Sequence, residues 1–472
     1  MTTVLLLAAA VAGAASPITY RLAYTTQGPG VVEVVMALGM LRAPATLVVP
    51  RAIPMGYGQQ PYDRFVIDVE AEDDAGQPVV VTREDGPRWR LGAQGQALRR
   101  IRYRIDVARM EREIQSASDS SRARLGYLSL LGYSVFAFIE GAEDRPARLE
   151  VEVPGEWPVL TTLAPRAPPE RQRTVGEAKD YYALADSQVV AGPDLEVRPL
   201  EGAVPFFLTL YAEAPAEAAT LGRLAEEAMA AVVAYFGGAP FAHYTLIQEY
   251  LTPVSSRHGY GFSMEHLDST TASFAADEAL TSVSGAERRA RTRYGYAHHF
   301  AHAWIPKRCY GRGYFPFAWE LAPVIDSVWL SEGWAQYAAI DALADALAEG
   351  EREAYRRRMV EVRFRRTLEE APPVIRRMSL LELSRVASTR YGEDFRTGRN
   401  VFSRGGMMAA EMDALVREKT GGKKRLRDAL RHLVAWSAEN RRAFDLGEVA
   451  GILKAATGVD VRPVMERWSL PL

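Results

Sequence analysis

Two short stretches carry the residues most able to do chemistry: His298-His299-Phe300-Ala301-His302 and, further along, Trp329-Leu330-Ser331-Glu332-Gly333-Trp334. Residues four apart share a helix face, so His298 and His302 can hold one ion between them. A third ligand from a separate helix would complete a three-ligand zinc site that leaves a fourth position open. Histidine is scarce in the chain, at 7 of 472 residues, and three of them fall in this one segment. In an H-E-x-x-H segment the residue after the first histidine is the glutamate that serves as general base. Here that position is His299, so the metal-binding pair stands without its usual base. On this spacing alone a second reading stays open, in which the histidines are structural and satisfied by hydrogen bonds.

The elements that must position these residues follow from periodicity. Past Phe206 the apolar period changes from two to about 3.6. Ala216 to Tyr235 reads as an amphipathic helix ending at Gly237-Gly238, and Tyr244 to Tyr250 as a strand. Gly259 to His266 is glycine-rich and polar, suited to an edge or loop lining a cleft. Ser284-x-x-Glu287 predicts a capping box opening the helix of His298 and His302. Glu332 lies at the start of a second helix running to about Leu347, and from Arg352 the sequence is mostly helical. The runs Arg356-Arg357-Arg358 and Arg363 to Arg366 read as solvated helix surface.

Before Phe206 the pattern is β. Val31 to Met36, Ala45 to Val49, Phe65 to Val69, Arg99 to Ile105 and Arg148 to Val153 are short runs separated by Gly, Pro and Asp turn signals. The proline-rich stretch from Ala164 to Arg171 predicts a loop. No chemically active residues cluster in this half, which reads as a structural or substrate-positioning domain.

Composition sets limits. With 48% hydrophobic and 25% charged residues the chain is globular, and its 472 residues suit three domains. A formal net charge of −2 gives no reason to expect nucleic acid as a partner. The single cysteine, Cys309, excludes an internal disulfide. No internal run approaches the roughly 20 apolar residues that span a bilayer, so no transmembrane segment is expected. At the N-terminus, Val4 to Ala12 is apolar and Ala12-Gly13-Ala14 fits a small-x-small cleavage site. Residues 1–16 are therefore expected to be a signal peptide and the protein exported, periplasmic or secreted. Met1-Thr2-Thr3 supplies no positive charge, and a mis-chosen start codon ahead of a first strand is the alternative.

Longer segments extend the pattern. Tyr235 to Tyr244 (Y-F-G-G-A-P-F-A-H-Y) resembles a strand-entry motif of the glycyl aminopeptidase family of gluzincin metallopeptidases. Gly261-Phe262-Ser263-Met264-Glu265-His266 resembles that family's G-G-L-E-H substrate loop, and His298 to Arg308 its H-E-F-F-H-x-W-N-V-K-R helix. Pro316-Phe317 and Trp329 to Tyr337 (W-L-S-E-G-W-A-Q-Y) are similar to its glutamate-ligand helix, and Asp180 to Gly192 to a stretch at its domain junction.

The resemblance implies a multidomain α+β fold. Its parts would be an N-terminal β-sandwich-like domain over 17–203, a thermolysin-like α/β catalytic domain over 204–348 and a C-terminal helical domain over 349–472. It implies that His298, His302 and Glu332 bind Zn2+. It further implies that Glu265 anchors a substrate α-amine, with Gly261, Met264 and His266 in the same substrate loop. A peptide or protein N-terminus is the expected ligand.

The departures bear on activity. His299 replaces the general base, and Ile305 replaces an Asn. Phe402-Ser403-Arg404-Gly405 stands where the family's Y-x-K-G segment supplies an oxyanion-stabilising hydroxyl. The family's C-terminal PDZ domain is not expected here. A positioned general base is worth roughly 10²–10⁴ in rate, and one oxyanion donor roughly 10²–10³. Loss of both predicts weak or no hydrolysis. Two roles stay open for His299: substitute base, which would make an active aminopeptidase, or extra metal ligand.

Overall fold

Alternating burial organises the first part of the chain. In the strand Ile18–Tyr24, residues 18, 20, 22 and 24 are buried and those between face outward, as a strand with one covered face requires. It pairs antiparallel with Val31–Arg42, placing Tyr20 opposite Met36 and Leu22 opposite Val34, and parallel with Ala147–Glu152. These belong to a seven-stranded sheet, which packs with a five-stranded and a four-stranded sheet around one apolar core. The computed structural model describes residues 16–25, 28, 30–316 and 318–472. Residues 1–15 of the expected leader, with its cleavage site, and Phe317 lie outside the described residues.

A second core begins after the strand Glu196–Leu200. A five-stranded mixed sheet contains Phe206–Ala212, Tyr244–Leu251 and Ser269–Ala275 in parallel, edged by Phe262–Glu265. Every residue of Tyr244–Leu251 is buried, as expected of a central strand covered on both faces. The helix Ala218–Phe236 ends where Gly237 adopts a left-handed φ of 86°, a conformation that costs glycine no steric penalty. The helices after Glu349 share this same core, so the helical region and the parallel sheet enclose one apolar interior. No helix among the described residues is long and apolar enough to cross a membrane.

Two glycine contacts bring the later helices close enough to form a site. A Cβ on Gly405 would collide with the Trp329 carbonyl, and one on Gly406 with the Phe364 ring. The long helix Phe395–Thr420 therefore lies directly against the turn that carries Glu332. A buried cation binds the two cores together: Arg122, from the first, donates to Glu249 and to the Ser273 hydroxyl of the second. Glu249 also accepts from the Tyr127 hydroxyl at 2.7 Å.

Three local expectations are corrected. The histidine helix, Ala286–Ala301, is capped by Gly285 without a side-chain bond, because the Ser284 hydroxyl accepts from Thr281 in the preceding turn. The expected capping box with Glu287 is not made. The arginine runs are not wholly solvated: Arg356 is buried, pairing with Asp341 at 2.6 Å and Asp345 at 2.5 Å, and Arg363 faces the cavity lined by His298 and His302.

Candidate functional site

The histidine helix buries Tyr296, Ala297, Phe300 and Ala301 against the sheet, with Phe300 meeting Phe206 and Tyr244 edge-on. That packing fixes the rotation of the helix and turns His298 and His299 toward a cavity of about 420 Å³. His302 lies one residue past the helix end, with backbone angles still helical. Its Nδ1 donates to the Ile305 carbonyl at 2.9 Å. Because that acceptor is backbone, the ring's support does not depend on the Ile305 side chain. His302 Nε2 is buried, has no hydrogen-bond partner and lies 3.5 Å from Glu332 Oε2.

Glu332 comes from the π-helical turn Trp329–Trp334, continued by the helix Ala335–Asp345. Its Oε2 is also 3.7 Å from His298 Nε2. Its Oε1 accepts the Tyr57 hydroxyl at 2.8 Å, and Tyr57 meets the Tyr314 hydroxyl at 3.0 Å. Holding one carboxylate oxygen leaves the other aimed at the histidines, the usual task of a residue behind a metal ligand.

The electrostatics favour a cation between these groups. Burial opposes protonation of His302, but Glu265 and Glu332 outweigh it and push its pKa up to about 9. His298 is driven the other way, kept neutral by burial, by the two neighbouring histidines and by Arg363. Burial also opposes ionisation of Glu265, yet His302, His299 and Lys307 hold its carboxyl well below the usual range. Bare buried nitrogens beside carboxylates are the donor set of a zinc site, so the residues fit the metal.

The other expected residues fall unequally. Gly261, Met264, Glu265, His299 and Phe402 all line the same cavity as the three ligand positions. Glu265 sits on the edge strand Phe262–Glu265, its Oε2 3.6 Å from His299 Nδ1. His299 therefore lies within 4.8 Å ligand-atom spacing of His298 and His302 and also beside Glu265. Phe402 itself has no hydroxyl and packs near Phe395 and Tyr391, the latter a tyrosine that lines the same cavity. His266 lies apart from the cavity: it is buried against Asp186 at 3.2 Å and stacks on Tyr133. Lys307 shares that carboxylate at 3.3 Å.

Tyr57 was missed by sequence reasoning, since it lies in the β half where no reactive cluster is legible. It arrives on a loop tied down by Gly58 N–H to the Ser388 carbonyl at 2.7 Å. No spacing rule links it to Glu332. Arg363 was missed because it hides inside a charge run.

This arrangement defines the class: a multidomain metallopeptidase fold with β-sheet domains before a mixed sheet and a helical C-terminal region. Residues 19–193 match the family model described as the Peptidase M61 N-terminal domain. No curated protein matches the chain. Among solved structures, an aminopeptidase N family protein from Idiomarina loihiensis superposes with a TM-score of 0.83 at 18% identity, covering 96% of this chain and 76% of that one. The M1 zinc metallopeptidase from Deinococcus radiodurans superposes at 0.54 and 16% identity, over 97% and 95% of the two chains. Native yeast LTA4 hydrolase superposes at 0.57 and 14% identity, over 97% and 68%. A mutant of the Deinococcus protein was solved bound to a Tyr-Ser-Ala substrate. At these identities the likeness establishes the fold, which is that of the M1 aminopeptidases.

Proposed function

We propose that the protein is an exported, zinc- and peptide-binding relative of the glycyl aminopeptidases with weak or no hydrolytic activity. The observation that carries this reading is the contrast inside one cavity. His298 Nε2 and His302 Nε2 both approach Glu332 Oε2, at 3.7 and 3.5 Å, while the base position holds His299 and the oxyanion position Phe402. His298, His302 and Glu332 would hold the ion, which when bound supplies a Lewis acid for a substrate carbonyl. Glu265 offers a buried carboxylate to a peptide's α-ammonium, a charge-assisted pairing. In this reading 17–203 position the ligand, 204–348 carry the metal site, and 349–472 close the cavity through Tyr391 and Phe402.

An active aminopeptidase using His299 as base is the second reading, and one contact favours it. Glu265 lies 3.6 Å from His299 Nδ1, where a carboxylate can orient the ring. The two readings ask different things of Glu265, amine anchor or partner of the base. Metal analysis together with turnover of glycyl and alanyl substrates at several pH values separates them. The first reading expects about one zinc per chain and negligible turnover. The second expects turnover that both His299→Ala and Glu265→Gln remove. Protein that purifies without metal, and that zinc does not stabilise, overturns both. Export is tested by the mature N-terminus in the native host: an intact Met1 in the cytosolic fraction contradicts it.

A further inference from the structure

Arg363 lines the cavity of the candidate metal site on a second π-helical turn, Glu361–Arg365. Its guanidinium lies over the Tyr294 ring, 4.4 Å from the centroid. Among the described residues no carboxylate comes within ion-pair distance of it, whereas the cavity's other arginine, Arg291, is neutralised by Glu278 at 2.6 Å. The turn is held firmly. The Arg363 carbonyl accepts from the Thr367 and Ser403 hydroxyls, both at 3.4 Å, and the adjoining Phe364 is fully buried under Gly406. Single π turns recur at functional positions, where they aim a side chain that a regular helix would point elsewhere.

A half-buried cation stacked on an aromatic face, without a counter-ion, is prepared for an anion that the ligand brings. We infer that Arg363 anchors the C-terminal carboxylate of short peptides, whose α-ammonium is held at Glu265. This assignment rests on the peptide-binding reading above and adds a class of ligand: di- to tetrapeptides with both termini free. A guanidinium accepts a carboxylate through two parallel hydrogen bonds, which selects it over an amide. A cavity of about 420 Å³ matches small ligands rather than a folded protein's chain end.

The test is calorimetric titration of zinc-loaded, full-length protein with trialanine as free acid and as C-terminal amide. The amide is expected to bind about tenfold or more weakly, the effect of one lost charge-assisted pair. In Arg363→Gln the acid should fall to the level of the amide, and Arg363→Lys should recover part of the difference. Equal binding of acid and amide by the unmodified protein overturns the assignment while leaving peptide binding in place. So does an Arg363→Gln variant that weakens both ligands equally, or one that keeps the full preference for the acid. If neither peptide binds, the peptide-binding reading fails and this assignment with it. Should Arg363→Gln not fold, judged by its unfolding midpoint, the acid-to-amide ratio of the unmodified protein decides.

Discussion

The wall of the cavity that carries His298, His302 and Glu332 differs from the wall that carries His299 and Phe402 in how its groups are held. On the first, two of the three proposed ligands have a partner behind them, the Ile305 carbonyl fixing the His302 ring and Tyr57 one oxygen of Glu332, while His298 is held by its helix, its Nδ1 buried without a hydrogen-bond partner. Helix packing through Phe300 and the close glycine contacts at 405 and 406 set the two helices at fixed distances. On the second, His299 leans toward Glu265, and Phe402 packs among aromatic rings. Metal-holding geometry depends on backbone and core packing, whereas catalytic use of the metal rests on single side-chain tips. In the proposed reading, a substitution at a tip leaves the holding geometry standing.

The strongest break of this comparison is at the ligands. His298→Ala combined with His302→Ala should abolish zinc binding altogether, measured as metal per chain after dialysis against zinc. Retention of stoichiometric metal would show that His299, Glu265 and Glu332 form the site instead.

A control outside the proposed ligand set should behave oppositely. Arg122→Ala leaves Glu249 buried without its charge partner. Removing one partner of a buried pair costs roughly 3–5 kcal/mol, to be read from denaturant unfolding, with zinc stoichiometry unchanged in the folded protein. Tyr57→Phe is the finer probe of the ligand wall. Loss of such a supporting hydrogen bond lowers metal affinity roughly 10–100-fold without removing the site. An unchanged affinity would mean that Glu332 is oriented by its helix alone.

Acid titration gives the smallest effect. Burial pushes the Glu249 carboxyl up, but Arg122 and the surrounding hydroxyls outweigh it and hold it below its ordinary value of 4.5. A depressed folded-state pKa contributes stability above the unfolded value and loses it as pH falls through the folded one. Stability should therefore decline below about pH 4.5, with a shallower slope in Glu249→Gln at equal starting stability.

The i, i+4 spacing made the two histidines legible, because helix geometry alone fixes which residues share a face. The strands around Val31, Arg99 and Arg148 were legible for a similar reason, since alternation maps directly onto one buried face. Tyr57 was not legible, because its contact with Glu332 spans 275 residues and depends on how two cores meet. Arg356 and Arg363 looked alike in sequence. One became a buried partner of Asp341 and the other a cavity wall, a difference set by helix rotation that a charge run does not encode. His266 looked like part of the substrate loop, yet just past the end of that strand its ring turns to Asp186, a carboxylate that Lys307 also contacts. Alternation along the strand puts neighbouring residues on opposite faces, so Glu265 and His266 part company.

The proposal's central claim is that the metal-holding residues are in place while the base and oxyanion positions lack their usual groups. Its most direct test compares turnover of N-terminal glycyl and alanyl substrates by zinc-replete protein before and after His299→Glu together with Phe402→Tyr. The account predicts negligible turnover in the unmodified protein and a measurable gain in the double variant, larger than in either single one, since groups that act as a unit are not additive. Efficient turnover by the unmodified protein, unimproved by His299→Glu, would contradict it and make His299 a competent base.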